Sequence, residues 1–404
     1  MNTMKYRDNV KRIFFRALGS FMVLSLFFLA SCSKEIELDG LPFKKRTLFI
    51  YMAANNNLGG IASQNINWMK EAFSQRYYGD NRVVIYWAPN RTPSTPVLVE
   101  IKRNGPSARV DTLKVYEPQS AVEPATLQMA IEDMLDFAPA DSYALILWSH
   151  GTGWMPADLP PGSGYTTVQP QQRAMYGEKI PQTRYFGEEA KKYMELSDLC
   201  GALPDHLFQF ILFDACFMGQ VEVAYALRNK ADYLIASPAE VLFDGMPYNK
   251  IIQYIFTSTP QLEAICREFF NHYENQFATI GLYDLRQMEP LAEVMSQIIA
   301  TYKNNIPSIP IAGIQYFDRY QKHTMFDLSN FVEKLMPESD PLWAQFERQM
   351  ASTILYKDAI PKNTLHIPIN TYCGISTYIP IAGYADLNDF YYRTDWYKRV
   401  YEEN

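Results

Sequence analysis

Five apolar runs rich in strand formers decide what this chain can fold into: 47–53 (TLFIYMA), 82–87 (RVVIYW), 142–148 (SYALILW), 208–213 (FQFILF) and 233–237 (YLIAS). Runs apolar at nearly every position suit strands buried on both faces, as in a parallel sheet. Helical segments lie between them. Residues 124–137 carry Leu127, Ala130, Ile131, Met134 and Leu135 on one stripe, with Pro124 near the start. Further helices are expected around 187–202 and from about Gly219 to Asn229. Strands alternating with helices predict an α/β fold, its central sheet covered on both faces. Two alternating runs, 97–102 and 109–115, flank Asn104-Gly105 and predict a hairpin. Beyond residue 250, amphipathic helices are expected at about 260–277, 287–303, 326–336 and 341–354, before short apolar runs at 364–369 and 374–380. No repeat, low-complexity tract or Pro/Gly linker separates a second domain after residue 45. The expectation is one domain over 45–404, with a core of about 45–250 and a C-terminal part of about 251–404.

The amino terminus reads as an export signal. Lys5, Arg7, Lys11, Arg12 and Arg16 precede an apolar stretch, Ala17 to Ala30, that is short for a bilayer span and of signal-peptide length. It ends Leu29-Ala30-Ser31-Cys32, which resembles the bacterial lipobox. On that resemblance residues 1–31 are removed, Cys32 is lipidated and 32–44 form a tether to the membrane, at the outer membrane or cell surface. The acidic Ser33-Lys34-Glu35-Ile36-Glu37 is similar to surface-export signals of bacterial lipoproteins. An ordinary signal peptide or an anchor helix with an incidental cysteine is the competing expectation.

Composition narrows the function classes. Hydrophobic content of 48% and charged content of 20% fit a globular domain. A formal net charge of -7 gives no basic footprint, so no nucleic-acid partner is expected. Besides Cys32 the cysteines are Cys200, Cys216, Cys266 and Cys373, with no CxxC and no zinc-ligand spacing. No metal site and no required cofactor follow from these residues.

Two strand ends carry chemistry. The run 142–148 delivers His150-Gly151, and the run 208–213 delivers Asp214-Ala215-Cys216. In open α/β sheets, sites form beyond the carboxyl ends of strands. An imidazole and a thiol on one rim suit nucleophilic acyl transfer. A helix starting just after Cys216 would favour its thiolate, and Gly151 would let backbone N–H groups approach a substrate oxyanion. His206, His272, His323 and His366 lack this context and read as structural or exposed; Cys200, Cys266 and Cys373 read as packing residues. The stretch 152–192 loses all periodicity and reads as a long irregular insertion.

The residue strings sharpen this. Leu145-Ile146-Leu147-Trp148-Ser149-His150-Gly151-Thr152-Gly153-Trp154 closely resembles the histidine motif of the clostripain family of cysteine peptidases, and residues 211–224 (ILFDACFMGQVEVA) resemble its cysteine motif. Residues 51–58, 236–240, 245–248, 326–328 and 374–380 are similar to further family segments in the same order. Phe217 and Gly219-Gln220 stand where the family has more typical aliphatic and small residues.

That resemblance implies a caspase/gingipain/legumain-like fold: a largely parallel sheet between helices, with helical C-terminal additions. It implies a His150–Cys216 dyad with no obligatory third member, and an oxyanion hole made by the Gly151 and Cys216 amides. Asp214 matches the family's determinant for Arg or Lys before the scissile bond; capping of the following helix is its alternative role. The expected partners are peptides or proteins cut after a basic residue. Some family members cut themselves between histidine and cysteine. Lys179 and Arg184 are the expected positions here, against the alternative of a loop merely long and basic. Calcium dependence occurs in the family, but no EF-hand-like loop is present. The rival function is a catalytically silent surface lipoprotein that binds peptides or glycans.

Overall fold

A computed structural model describes residues 45–402 apart from 92, 157–185, 191 and 362–364. These described residues form one compact unit. Strand β1 (Arg46–Ala53) is buried at every position, as its unbroken apolar run requires. Its one charged residue, Arg46, is 2% exposed and donates to the carbonyls of Ile255 (2.6 Å) and Thr257 (3.0 Å) and to Gln209 Oε1 (3.0 Å). A buried guanidinium is tolerable only with such partners.

The other strands are β2 (Arg82–Ala88), β3 (Val97–Asn104), β4 (Ser107–Val115), β5 (Ser142–Trp148), β6 (Phe186–Glu189), β7 (Lys192–Met194), β8 (Phe208–Asp214), β9 (Ala231–Ala236), β10 (Thr279–Asp284), β11 (Phe326–Asp327), β12 (Ile354–Ala359) and β13 (Ser376–Thr377). Nine of them make the central sheet, in the order β12-β10-β9-β8-β5-β1-β2-β3-β4. The five middle strands, β9 to β2, run parallel; β10, β12, β3 and β4 close the edges antiparallel. Helices Gly59–Gln75, Tyr248–Ile255 and Leu262–His272 form one covering layer. Helices Pro124–Phe137, Leu196–Ala202, Val221–Ala226, Met288–Tyr302 and Pro341–Thr353 form the other. Each fully buried Leu, Ile or Phe in this sandwich contributes about 1.5–3 kcal/mol of transfer energy. The expected α/β architecture is the one observed.

Three local expectations are corrected. Residues 187–202 are the β6–β7 hairpin followed by a short helix, because Gly187 takes φ 76° and breaks any helix there. The segment after Cys216 is helical only over Val221–Ala226, since Gln220 is extended. The C-terminal part adds strands as well as helices: β10 lies where no element was expected, and β12 directly continues the helix 341–353. The apolar run 374–380 contributes only β13, and residues 365–369 form no strand.

Candidate active site

The sheet register builds the site. β5 and β8 are adjacent and parallel, with Trp148 opposite Asp214. His150 and Cys216 each follow two residues later, so the two chains leave the sheet side by side. The contact is close: a Cβ placed on Gly151 would stand 2.7 Å from the Cys216 carbonyl oxygen and 3.1 Å from the Ala215 Cβ. Only glycine fits there. Ser149 ties the rim together, its N–H donating to the Asp214 carbonyl (3.4 Å) and its hydroxyl to the Ala53 carbonyl (2.8 Å) at the end of β1. His150, Cys216 and Asp214 line one narrow cavity with Leu58, Trp148 and Val241. Its free volume of about 30 Å³ holds a water molecule and not an arginine side chain.

The electrostatics describe a resting centre. His150 is 2% exposed, and burial lowers its pKa to about 4. Its Nε2 lies 2.6 Å from Asn57 Oδ1. Cys216 is 5% exposed, and burial, helped by the nearby Glu240 carboxylate, pushes its thiol up to about 12. The sulfur accepts from the Val241 N–H (3.3 Å), and its S–H points to the Val241 carbonyl (3.6 Å). Both groups are therefore neutral near pH 7. The expected thiolate stabilisation by a following helix does not arise: that helix starts at Val221, has six residues, and desolvation outweighs it. Among the described residues neither the Gly151 nor the Cys216 N–H has a hydrogen-bond partner.

Asp214 is 5% exposed, and burial raises its carboxyl to about 6 against the pull of two donors. Those donors are the Met246 N–H (3.0 Å) and the Tyr248 hydroxyl (2.8 Å), both on Oδ2. It caps no helix after Cys216. Segment 240–246 thus touches both the Cys216 sulfur and the Asp214 carboxylate. Glu240 anchors that segment through a bidentate ion pair with Arg319, both contacts 2.6 Å and both residues buried.

Three contributors escaped the sequence patterns. Asn57 binds the imidazole. Val241 holds the sulfur. Gln220 joins the two motif loops, with its Oε1 accepting from the Trp154 N–H (3.1 Å) and its amide lying against Gly153 at φ 71°. Phe217 is itself left-handed at φ 60°, held by its N–H on the Ala239 carbonyl (2.9 Å) and its ring against Tyr320. Glycine-rich strings hinted at close approach, but no sequence spacing linked Asn57 to His150. Cys32, Lys179 and Arg184 lie outside the described residues. Cys200, Cys216, Cys266 and Cys373 are free thiols. Among the described residues no cluster of three or more His, Cys, Asp or Glu side chains could hold a metal ion, and no helix is long and apolar enough to cross a membrane.

Comparison with known proteins agrees with the geometry. The sequence pattern of the Clostripain family matches residues 50–400. Clostripain from Hathewaya histolytica is 28% identical, over 83% of this chain and 75% of that protein. The crystal structure of an inactive zymogen C11 protease from Parabacteroides distasonis superposes with a TM-score of 0.76 at 30% identity, covering 90% of this chain and all of that one. A secreted C11 cysteine protease from Bacteroides thetaiotaomicron gives 0.73 at 27% identity, covering 88% of this chain and 99% of that one. A sheet with this order, a histidine and a cysteine on adjacent strand ends, and these likenesses lead to one assignment: the chain belongs to the clostripain family of cysteine peptidases and has its caspase-like fold.

Proposed function

We propose that the chain is a lipid-anchored endopeptidase that cuts after Arg or Lys with His150 and Cys216 as its catalytic pair. The observation that carries this is the convergence of His150, Cys216 and Asp214 on one cavity at the β5–β8 rim. In the proposed reaction the Cys216 sulfur attacks the carbonyl carbon before the scissile bond while its proton passes to His150. The C–N bond then breaks, and the amine leaves with that proton. Water adds to the thioester, giving a proton to His150; the C–S bond breaks, the carboxylic acid leaves, and the proton returned by His150 restores the thiol. The Gly151 and Cys216 N–H groups would hold the oxyanion, consistent with their lack of partners among the described residues. Asp214 would receive the substrate cation: a carboxyl raised by burial gains most from a charged partner.

A resting pair with the proton on sulfur fits a form that awaits substrate or self-cleavage, and segment 241–245 must shift to admit an arginine. Self-cleavage after Lys179 or Arg184 is part of the proposal. So is attachment through Cys32, supported by the leader sequence and by a secreted relative. Fluorogenic peptides ending in Arg, Lys and Leu test the core reading. Hydrolysis after Arg or Lys is expected, absent in Cys216→Ala and lost for basic peptides in Asp214→Ala; activity that survives Cys216→Ala refutes it. Full-length protein is expected in the membrane fraction, and Cys32→Ala in the soluble one.

A further inference from the structure

We propose that Asn57 is a positioning residue for this centre: its side-chain oxygen holds the His150 ring in one orientation, with Nε2 as donor and Nδ1 left to exchange the proton with Cys216. The inference rests on the peptidase reading above. The contact between Nε2 and Asn57 Oδ1 is 2.6 Å. An amide oxygen only accepts, so Nε2 carries the hydrogen, and a neutral ring then has Nδ1 as its one basic nitrogen. Among the described residues Nδ1 has no hydrogen-bond partner. The ring is neutral near pH 7 because burial lowers its pKa, so which nitrogen is basic matters.

Three observations separate this from an ordinary polar contact. Asn57 is exposed, so water could satisfy its amide and the fold does not need the bond; His150 is buried and does. The residues on either side of Asn57 are pinned. Asn56 accepts from the Leu58 N–H (2.9 Å) and donates to the carbonyls of Ala53 and Glu188 (both 3.0 Å), while Asn55 donates to Glu189 Oε1 (2.6 Å). Finally, Leu58 lines the cavity and precedes the helix Gly59–Gln75, so the loop is fixed to the site on both sides. An acceptor set this rigidly can define where an imidazole points.

The test uses the full chain and four proteins: wild type, Cys216→Ala as the inactive control, Asn57→Leu, which keeps the size and loses the acceptor, and Asn57→Asp, which keeps the acceptor. Wild-type hydrolysis of an Arg peptide, lost in Cys216→Ala, is measured first; its absence sinks the peptidase reading alone. For Asn57→Leu a kcat about 100-fold lower is expected with KM nearly unchanged, the melting temperature falling because the buried Nε2 donor loses its acceptor, and Asn57→Asp should recover most of the rate. The His150 Nε2 proton should appear downfield by NMR and exchange slowly in wild type and Asn57→Asp, but not in Asn57→Leu. That signal reads the contact whether or not a substrate is found. An unchanged kcat in Asn57→Leu, a rise in KM at constant kcat, equal losses in both variants, or no protected Nε2 proton in wild type would each overturn the inference.

Discussion

Asp214 shows most directly how the burial of one residue ties stability to the proposed preference for basic peptides. Its carboxyl is raised from 3.8 to about 6 by burial, so the folded form holds a proton that the unfolded chain releases. A raised pKa contributes stability below pH 4, and that contribution is lost as pH rises through 6. At neutral pH the buried charge costs on the order of 3 kcal/mol, which a substrate guanidinium would offset. Asp214→Asn keeps an acceptor for the Met246 N–H and the Tyr248 hydroxyl. This variant should melt higher than wild type at pH 8, with the difference vanishing near pH 4, while hydrolysis of basic peptides falls about 100-fold or more. Calorimetry at the two pH values checks it, and a lower melting temperature at pH 8 would refute it. His150 works in the opposite direction: its pKa is lowered from 6.5 to about 4, so its contribution is present above pH 6.5 and lost as pH falls through 4. The positions of His150, Asp214 and Cys216 were legible because each ends an apolar run. Asn57, Val241 and Gln220 were not, because their partners are 93, 25 and 66 residues away and no periodicity encodes such a pairing.

Strands apolar almost throughout and the β3–β4 hairpin announced themselves; β10 and β12, at the opposite edge of the sheet, did not. β1, β2, β5, β8 and β9 are apolar almost throughout, so their runs stood out. β10 is interrupted by Gly281, where a Cβ would come within 2.4 Å of the Tyr283 hydroxyl. β12 alternates half-buried and exposed positions and starts without a breaker after helix Pro341–Thr353, so its residues gave no strand signal. The connection after His150 depends on a similar constraint. Gly153 sits at φ 71°, and a Cβ there would stand 2.0 Å from Gln220 Oε1. Gly153→Ala should cost about 1–3 kcal/mol from backbone strain and the displaced amide. In a Gln220→Ala background the cost should be smaller, since only the backbone part remains. Denaturant unfolding of the four proteins measures the coupling, and strict additivity would show that the two loops are independent.

Across the whole molecule, chain order divides the central sheet into two unbroken blocks. Everything before residue 156 supplies β5-β1-β2-β3-β4, and everything after 186 supplies β12-β10-β9-β8. They join along the β5–β8 ladder, with His150 on one block and Cys216 on the other. The strand after the expected cleavage positions also grips the other block: the Gly187 N–H donates to the His150 carbonyl (2.9 Å), and Phe186 bridges Gly151. A cut after Lys179 or Arg184 would sever no strand among the described residues. Mass spectrometry should find that cut in wild type and not in Cys216→Ala, with the two pieces co-eluting until denatured. Intact wild type with full activity would rule out self-processing. Once denatured, such an enzyme could recover only through an encounter of two separate polypeptides. The early rate of regain should therefore grow with the square of the protein concentration, where an uncut chain would refold at a rate constant independent of dilution.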